Sequence, residues 1–296
     1  MQYTRFSLLL ASALAFGCGG KTDSRLGTES TAKPPIPIAS KHDPKTVGTI
    51  RGRVTWTGEV PNPPKLTAAI PESPGYKFTE MPNPYAPLVS EPGRGLSEAV
   101  ISLGGVNLEA STSWTDSKVL VELSGYRIQV KQGDHRPRRS GFVPVGGQVE
   151  FVSHDSIFHS LRARGAAFFA LPFPEPEKPL SRKLDKAGLV ELTSGSGYHW
   201  AAADLYVVEH PYFTITNDDG GFELTAVPPG EYQLIVRVRN WNIVGRERDP
   251  ESGLVFKLIF APSVEKRVHI TISSGNTAVQ DFQFSTADFP IHAPKP

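Results

Sequence analysis

The residues of this chain that could bind a metal ion are histidines near its centre. His154 is followed directly by Asp155, and His159 comes four residues later. His199 lies forty residues beyond His159, and His210 follows eleven residues after that. Two or three imidazoles can hold copper(II) or zinc without a thiolate. His159 and His199 are therefore candidate metal ligands, with His154, Asp155 and His210 as further ligands. In the alternative interpretation, these histidines are hydrogen-bonded polar residues on loops.

The composition excludes several classes of protein. The chain has 296 residues, a single Cys, and 31 basic against 30 acidic side chains. One Cys cannot form a disulfide scaffold or a Cys-based zinc finger, and a near-neutral charge argues against a nucleic-acid partner. The 27 Gly and 27 Pro residues disfavour a helical bundle. The length suits about two domains with buried cores.

The first residues have the pattern of a bacterial signal peptide. Arg5 precedes an apolar run of 11 residues, 6–16, which is too short to span a bilayer core of about 30 Å. The segment that ends at Cys18 resembles a bacterial lipobox, so we predict that residues 1–17 are removed and that Cys18 is lipidated. The alternative is an ordinary secretory peptide that is cleaved nearby. A lipid anchor predicts a secreted protein held on a membrane of the cell envelope, facing the periplasm or the exterior. Residues 18–47 are rich in Gly, Ser, Thr, Lys and Pro, and are predicted to be a disordered linker.

Short alternating runs separated by turn residues dominate the rest of the chain. Residues 49–57, 118–123 and 232–238 are examples, and no stretch of ten or more residues keeps a 3.6-residue period. We predict an all-β protein with two β-sandwich domains. Nine prolines between residues 61 and 92 exclude a central strand there. Residues 48–96 are therefore predicted to form an N-terminal strand and a proline-rich wrap on the surface.

A second pattern defines the C-terminal part of the chain. Residues 212–238 read YFTITNDDGGFELTAVPPGEYQLIVRV, with an Asn-Asp-Asp-Gly turn and then a Pro-Pro-Gly turn between alternating strands. This resembles the carboxypeptidase regulatory-like (transthyretin-like) β-sandwich. The resemblance implies a structural or binding domain over residues 210–286, without catalytic residues, followed by a tail at 287–296.

The histidine-bearing region resembles a cupredoxin. A Gly-Gly turn at Gly146 and Gly147 leads into a strand, then Ser153-His154-Asp155, and then His159. Cupredoxins have a similar turn, strand, Asn-x-Asp and ligand His. The resemblance implies a cupredoxin-like Greek key over residues 97–209, including a strand at 99–103. The order of the two parts resembles a family of secreted bacterial proteins with plastocyanin-like and regulatory-like domains.

The ligand set that this resemblance implies is incomplete. A blue-copper site needs two imidazoles, a thiolate and a weak axial thioether. If His159 and His199 are the imidazoles, the Cys position falls near Ser196 and the Met position near Ala202. The chain's one Cys is Cys18, and its two Met residues are Met1 and Met81. The sequence therefore predicts a degenerate domain without type-1 copper.

No nucleophile or metalloprotease motif stands out in the chain, and we expect a protein that is not an enzyme. The function that we expect is a non-enzymatic binding or interaction protein of the cell envelope, anchored in the membrane, with an envelope protein or a glycan as partner. The alternative is a copper(II)- or zinc-binding protein that uses His159 and His199. The basic run at residues 131–139 suggests either a polyanion site or a solvated loop. The tryptophans suggest either a sugar-stacking platform or core residues.

Overall fold

The computed structural model describes residues 41–72, 74–114, 118–133, 135–251 and 253–291. The predicted signal peptide, Cys18, most of the linker and the end of the tail lie outside these residues. Within the described ranges, no helix is long and apolar enough to cross a membrane.

Alternating burial accounts for most of the strands. In residues 230–238, for example, every second side chain is buried, as expected for a strand with one face on a core. Two short 3₁₀ helices, Leu108–Ala110 and Thr286–Asp288, interrupt a chain otherwise built from strands.

The strands of the first half are β1 (Gly48–Trp56), β2 (Leu66–Pro71), β3 (Tyr76–Met81), β4 (Leu88–Val89), β5 (Leu96–Ser97), β6 (Val100–Gly104), β7 (Val119–Ser124), β8 (Arg127–Gln132), β9 (Ser140–Pro144), β10 (Gly147–Ser153) and β11 (His159–Gly165). The later strands are β12 (Phe169–Phe173), β13 (Leu180–Leu184), β14 (Gly188–Ser194), β15 (Ala202–Val208), β16 (Phe213–Ile215), β17 (Gly221–Val227), β18 (Gly230–Val238), β19 (Ile243–Arg248), β20 (Val255–Phe260), β21 (Val264–Ile272), β22 (Thr277–Val279) and β23 (Phe282–Phe284).

The first sandwich consists of two sheets from the middle of the chain. Their strand orders are β13-β10-β7-β8 and β12-β11-β14-β15-β9. The pairs β7–β10 and β9–β15 are parallel, and the other pairs are antiparallel. Val121, Phe151, Leu161, Leu192 and Leu205 fill the space between the sheets. This sandwich holds the histidines of the predicted metal site.

The second sandwich combines strands from both ends of the chain. One sheet has the order β17-β1-β22, with β23 also paired to β1, and the other has the order β16-β6-β18-β21. Ile50, Trp56, Ile101, Leu234 and Phe284 lie in its core. The all-β fold and the sandwich architecture that the sequence predicts are therefore confirmed.

Strand pairing does not follow the predicted division of the chain at residues 97 and 210. The strand at 99–103, which was assigned to the cupredoxin-like part, is β6, and it pairs with β16 and β18 of the second sandwich. The N-terminal strand β1 pairs with β17, β22 and β23 of the same sandwich. The assignment of this strand to the cupredoxin-like part is therefore wrong. The reason is that alternation shows which face of a strand is buried but not which strand lies beside it.

The proline-rich segment forms a two-stranded hairpin. β2 and β3 pair only with each other among the described strands, and Pro71 occupies the last position of β2. The expectation that no central strand forms here is consistent with this pairing. Leu66, Ala68 and Met81 from the hairpin pack into the first core, so the segment covers one end of the first sandwich.

A buried ion pair joins the two sandwiches. Arg239 follows β18, and its guanidinium donates from Nε to Asp204 Oδ2 on β15 at 2.6 Å and from Nη2 to Oδ1 at 2.5 Å. Asp204 is 1% exposed. Burial lowers the pKa of Arg239, but the charge of Asp204 outweighs it and the pKa is raised. Beside the pair, Phe142 and Tyr206 form a small apolar cluster that also links the sandwiches.

We expect Asp204→Ala to lower the free energy of unfolding by about 3–5 kcal/mol, because the change leaves the Arg239 charge buried without its partner. Glu191→Ala is the matched control. Glu191 also accepts from Arg239, at 3.0 Å, but its side chain is 51% exposed, so its loss is expected to cost less than about 1 kcal/mol. Urea denaturation of the three proteins measures the difference. Equal effects of the two substitutions would contradict the stabilising role of the buried pair.

Candidate functional site: a buried His–Asp pair

The turn that follows β10 places the first histidines. His159, the first residue of β11, is 2% exposed, and its Nε2 donates to Asp155 Oδ2 at 2.8 Å. Asp155 in turn accepts from the backbone N–H of Gly125 at 2.9 Å and of Tyr126 at 3.2 Å. Burial raises the pKa of Asp155, but these two backbone donors and His159 together lower it below its ordinary value. The carboxylate therefore has three donors of the protein around it.

Aromatic rings close the space around His159. The ring of Tyr198 lies 5.4 Å from the imidazole between centroids, and that of Tyr126 lies 6.3 Å away. The two tyrosine rings are 5.1 Å apart in an edge-to-face arrangement. Trp200 donates from Nε1 to the carbonyl of Tyr126 at 2.9 Å, which fixes the loop behind them. His159 is therefore a packed residue of the first core.

His199 has a different environment. Its Nδ1 donates to the carbonyl of Val255 at 3.0 Å, which ties the loop between β14 and β15 to the hairpin β19–β20. Its ring packs edge-on against Trp200, 5.0 Å away. Burial lowers the pKa of His199, although its hydrogen bonds oppose this shift. The side chain therefore serves as a contact between the first sandwich and the hairpin.

The residues near the positions where the cupredoxin resemblance implies Cys and Met are also part of the fold. Ser196, near the expected Cys position, accepts from the backbone N–H of Ser160 at 2.8 Å. The Oγ of Ser194 accepts from the N–H of Ser196 at 3.1 Å. Ala202, near the expected Met position, begins β15 and offers no donor atom. These residues do not fit a type-1 copper ion.

The remaining candidate ligands lie in separate places. His154 has its Nδ1 2.7 Å from Glu177 and its Nε2 3.5 Å from Glu122. The hydrogen bond that His154 donates to Glu177 is the main reason that the pKa of His154 is raised. His210 accepts from the N–H of Tyr212, stacks on a phenylalanine and has a pKa lowered by burial. Among the described residues, no group of three or more His, Cys, Asp or Glu side chains is arranged to hold a metal ion.

Three arginines of the basic run, Arg136, Arg138 and Arg139, form contacts within the fold. Arg136 forms an ion pair with Asp218, and Arg138 donates to the carbonyl of Thr216 at 2.8 Å. Arg139 donates to the carbonyl of Ala86 at 2.9 Å, and burial lowers the pKa of Arg139. These contacts favour a structural role over a polyanion site.

Two hairpins cover the end of the first sandwich where His199 lies. One is β2–β3, and the other is β19–β20, whose Leu258 packs into the first core. Between β20 and the outward face of β11 and β14 there is a cavity of about 350 Å³, which we call the β20 cleft. Its lining includes Arg162, Arg164, His199 and Phe256. No motif in the sequence indicates this site, although the alternation of Arg162 and Arg164 along β11 places both arginines on one face.

The fold and the site define an all-β protein whose first sandwich contains a buried His–Asp pair. Solved structures that match part of the chain are cupredoxins. A copper(I) form of an amicyanin variant is 17% identical, with 38% of this chain and 99% of that chain covered and a TM-score of 0.25. The purple cupredoxin from Nitrosopumilus maritimus is 16% identical, with 31% of this chain and 100% of that chain covered and a TM-score of 0.24. No protein-family model and no curated protein sequence matches the chain. Similarities of this size assign the chain to no family.

We expect the two solvent-accessible histidines of the site to titrate on opposite sides of the ordinary value of 6.5, with His154 above it and His199 below it. NMR titration of the imidazole resonances measures both. Glu177→Gln is expected to lower the pKa of His154, because it replaces the carboxylate that accepts from the imidazolium. Glu175→Gln, in the same loop, is the control and is expected to leave His154 unchanged. A pKa of His199 above that of His154 would refute the contacts described above.

Proposed function

We propose that this chain is a non-enzymatic binding protein of the cell envelope, in which a cupredoxin-like sandwich serves as a scaffold and not as a copper centre. The observation that supports this most directly is the buried hydrogen bond from His159 Nε2 to Asp155. A buried imidazole needs a partner for its N–H, and a carboxylate held by two backbone donors supplies one without a metal.

The other ligand positions support the same proposal. His199 Nδ1 donates to a backbone carbonyl, and Ser196 Oγ accepts from a backbone N–H. A hydroxyl is also a poor ligand for copper in a site that requires a soft thiolate. His199 and Ser196 therefore already have hydrogen-bond partners within the fold.

The predicted lipid anchor and linker would hold the two sandwiches at a membrane surface, where an envelope protein or a glycan is the partner.

Trp56, Trp200 and Trp241 are buried, so they are core residues and not a sugar-stacking platform. The exposed aromatic residues include two on β3, where Tyr76 is 57% and Phe78 is 65% exposed. They line a cavity of about 570 Å³ together with Lys65, Arg246 and Arg248, among others. Aromatic faces beside cationic groups are suited to a glycan that carries acidic sugars. The resemblance of the second sandwich to regulatory-like domains stays a prediction.

Titration with copper(II) and with zinc separates the proposal from its alternative, a metal protein that uses His159 and His199. We expect His159→Gln and His199→Gln to leave metal uptake in isothermal titration calorimetry unchanged, because both side chains already have partners. His154→Gln is the control for adventitious binding at a partly exposed histidine. Stoichiometric uptake that both His159→Gln and His199→Gln abolish would refute the scaffold proposal and establish the alternative. Circular dichroism of each variant confirms that it is folded.

The glycan interaction has its own test on an array of acidic and neutral envelope glycans. We expect the native protein to bind acidic glycans, and Tyr76→Ser combined with Phe78→Ser to weaken this binding several-fold, because the stacking surface is lost. Phe168→Ser is the matched control, since this side chain is 85% exposed at a different turn. A blank array together with an empty pull-down from envelope extracts would contradict the binding function.

A further inference from the structure

The β20 cleft has a polar wall and an apolar wall. The polar wall is the outward face of β11 and β14, where Arg162 and Arg164 stand two residues apart and therefore on the same side of the strand. Thr193 and Glu191 are their neighbours in register on β14. The opposite wall is β20 and the residues that follow it.

The charges in the cleft do not cancel. Glu191, the acidic residue of the lining, accepts from Arg239 at 3.0 Å although it stands beside Arg164 in register. Lys257 of β20 donates to Glu247 at 2.5 Å. In the described part of the chain, Arg162 and Arg164 have no ion-pair partner. The cleft therefore presents two guanidinium groups on one wall, and its charged groups with their ion-pair partners sum to a net charge of +1.

Glycine at position 195 allows Arg162 to lie close to the backbone at the edge of the cleft. A Cβ at that position would stand 3.2 Å from Arg162 Nε and 2.6 Å from Ser160 Oγ. A larger residue there would push the guanidinium aside. The absence of a side chain at Gly195 therefore leaves room for Arg162 beside the loop that also carries His199.

The facing wall offers apolar surface. Phe256, Ile259 and Phe260 line it, and Ile259 is 41% exposed. His199 stands between this cavity and the larger one behind β3, and its lowered pKa keeps it uncharged near neutral pH. Pockets of about 300–1,000 Å³ with apolar walls and a few polar groups are typical of small-molecule sites.

We propose that the β20 cleft binds a small organic anion, whose carboxylate or phosphate group lies between Arg162 and Arg164 and whose apolar body packs on β20. Guanidinium groups bind both kinds of oxyanion through paired charge-assisted hydrogen bonds. This deepens the proposed binding function and rests on it, because it assigns one binding site and one class of ligand to the scaffold.

The test uses the full chain and three probes that share one ring system, 2-naphthoate, 2-naphthyl phosphate and the uncharged 2-naphthalenemethanol. Isothermal titration calorimetry measures each affinity. We expect the two anions to bind more tightly than the alcohol, and the preferred anion distinguishes a carboxylate ligand from a phosphate ligand. Arg162→Gln with Arg164→Gln is expected to weaken anion binding by at least about tenfold, because the charge-assisted hydrogen bonds to the oxyanion are lost.

Two controls keep the result specific. Arg127→Gln removes an exposed guanidinium from β8 in the other sheet of the same sandwich and is expected to leave all three affinities unchanged. Ile259→Gln is expected to weaken binding of the alcohol and of the anions alike. If the double variant binds the anions as tightly as the native protein, or if the native protein binds none of the probes, the proposal is overturned. Neither result affects the copper and glycan tests, so a failure here is distinguishable from a failure of the proposed function.

Discussion

The ion pair between Arg239 and Asp204 determines how the two sandwiches and the β20 cleft are arranged. A charge as deeply buried as that of Asp204 is stable only beside its counterion, so the outward face of β15 must lie against the end of β18. The chain leaves β18 at this point and continues into the hairpin β19–β20. The pair therefore positions the hairpin over the first sandwich. The contact between His199 and Val255 completes that placement.

The topology explains why the sandwiches form one body. The second sandwich depends on β1 pairing in parallel with β22 and β23, so its sheet closes only when residues separated by more than two hundred positions meet. The whole first sandwich lies between them in sequence. Pairing across such distances costs loop-closure entropy and makes folding slow. The first sandwich uses strands from a continuous stretch of chain, and we infer that it forms first and presents β9 and β15 as the surface for the second.

The sequence predicts the local features of this fold. It does not predict which strands and residues are in contact when they are far apart along the chain. Alternation identifies β18 and β6 as strands, but it cannot show that they are neighbours, because period two reports a buried face and nothing about the adjacent strand. The same limit applies to the site. Asp155 is four residues from His159 and was among the candidates, whereas Val255, the partner of His199, is 56 residues away and backbone atoms carry no sequence signal. Likewise, Glu191 lies beside Arg164 in register but accepts from Arg239, which is 48 residues away in the sequence.

The buried imidazole of His159 is held by hydrogen bonds within its own end of the first sandwich. An imidazole at this depth requires a partner, and Asp155 supplies one because the turn at Gly125 and Tyr126 donates two backbone hydrogen bonds to its carboxylate. The nearby Oγ of Ser153 is buried and has no hydrogen-bond partner among the described residues. The end of the sandwich is thus fixed by hydrogen bonds around His159 and covered by hairpins around His199. The outward side of β11, with Arg162 and Arg164, lies in the β20 cleft beside this end of the sandwich.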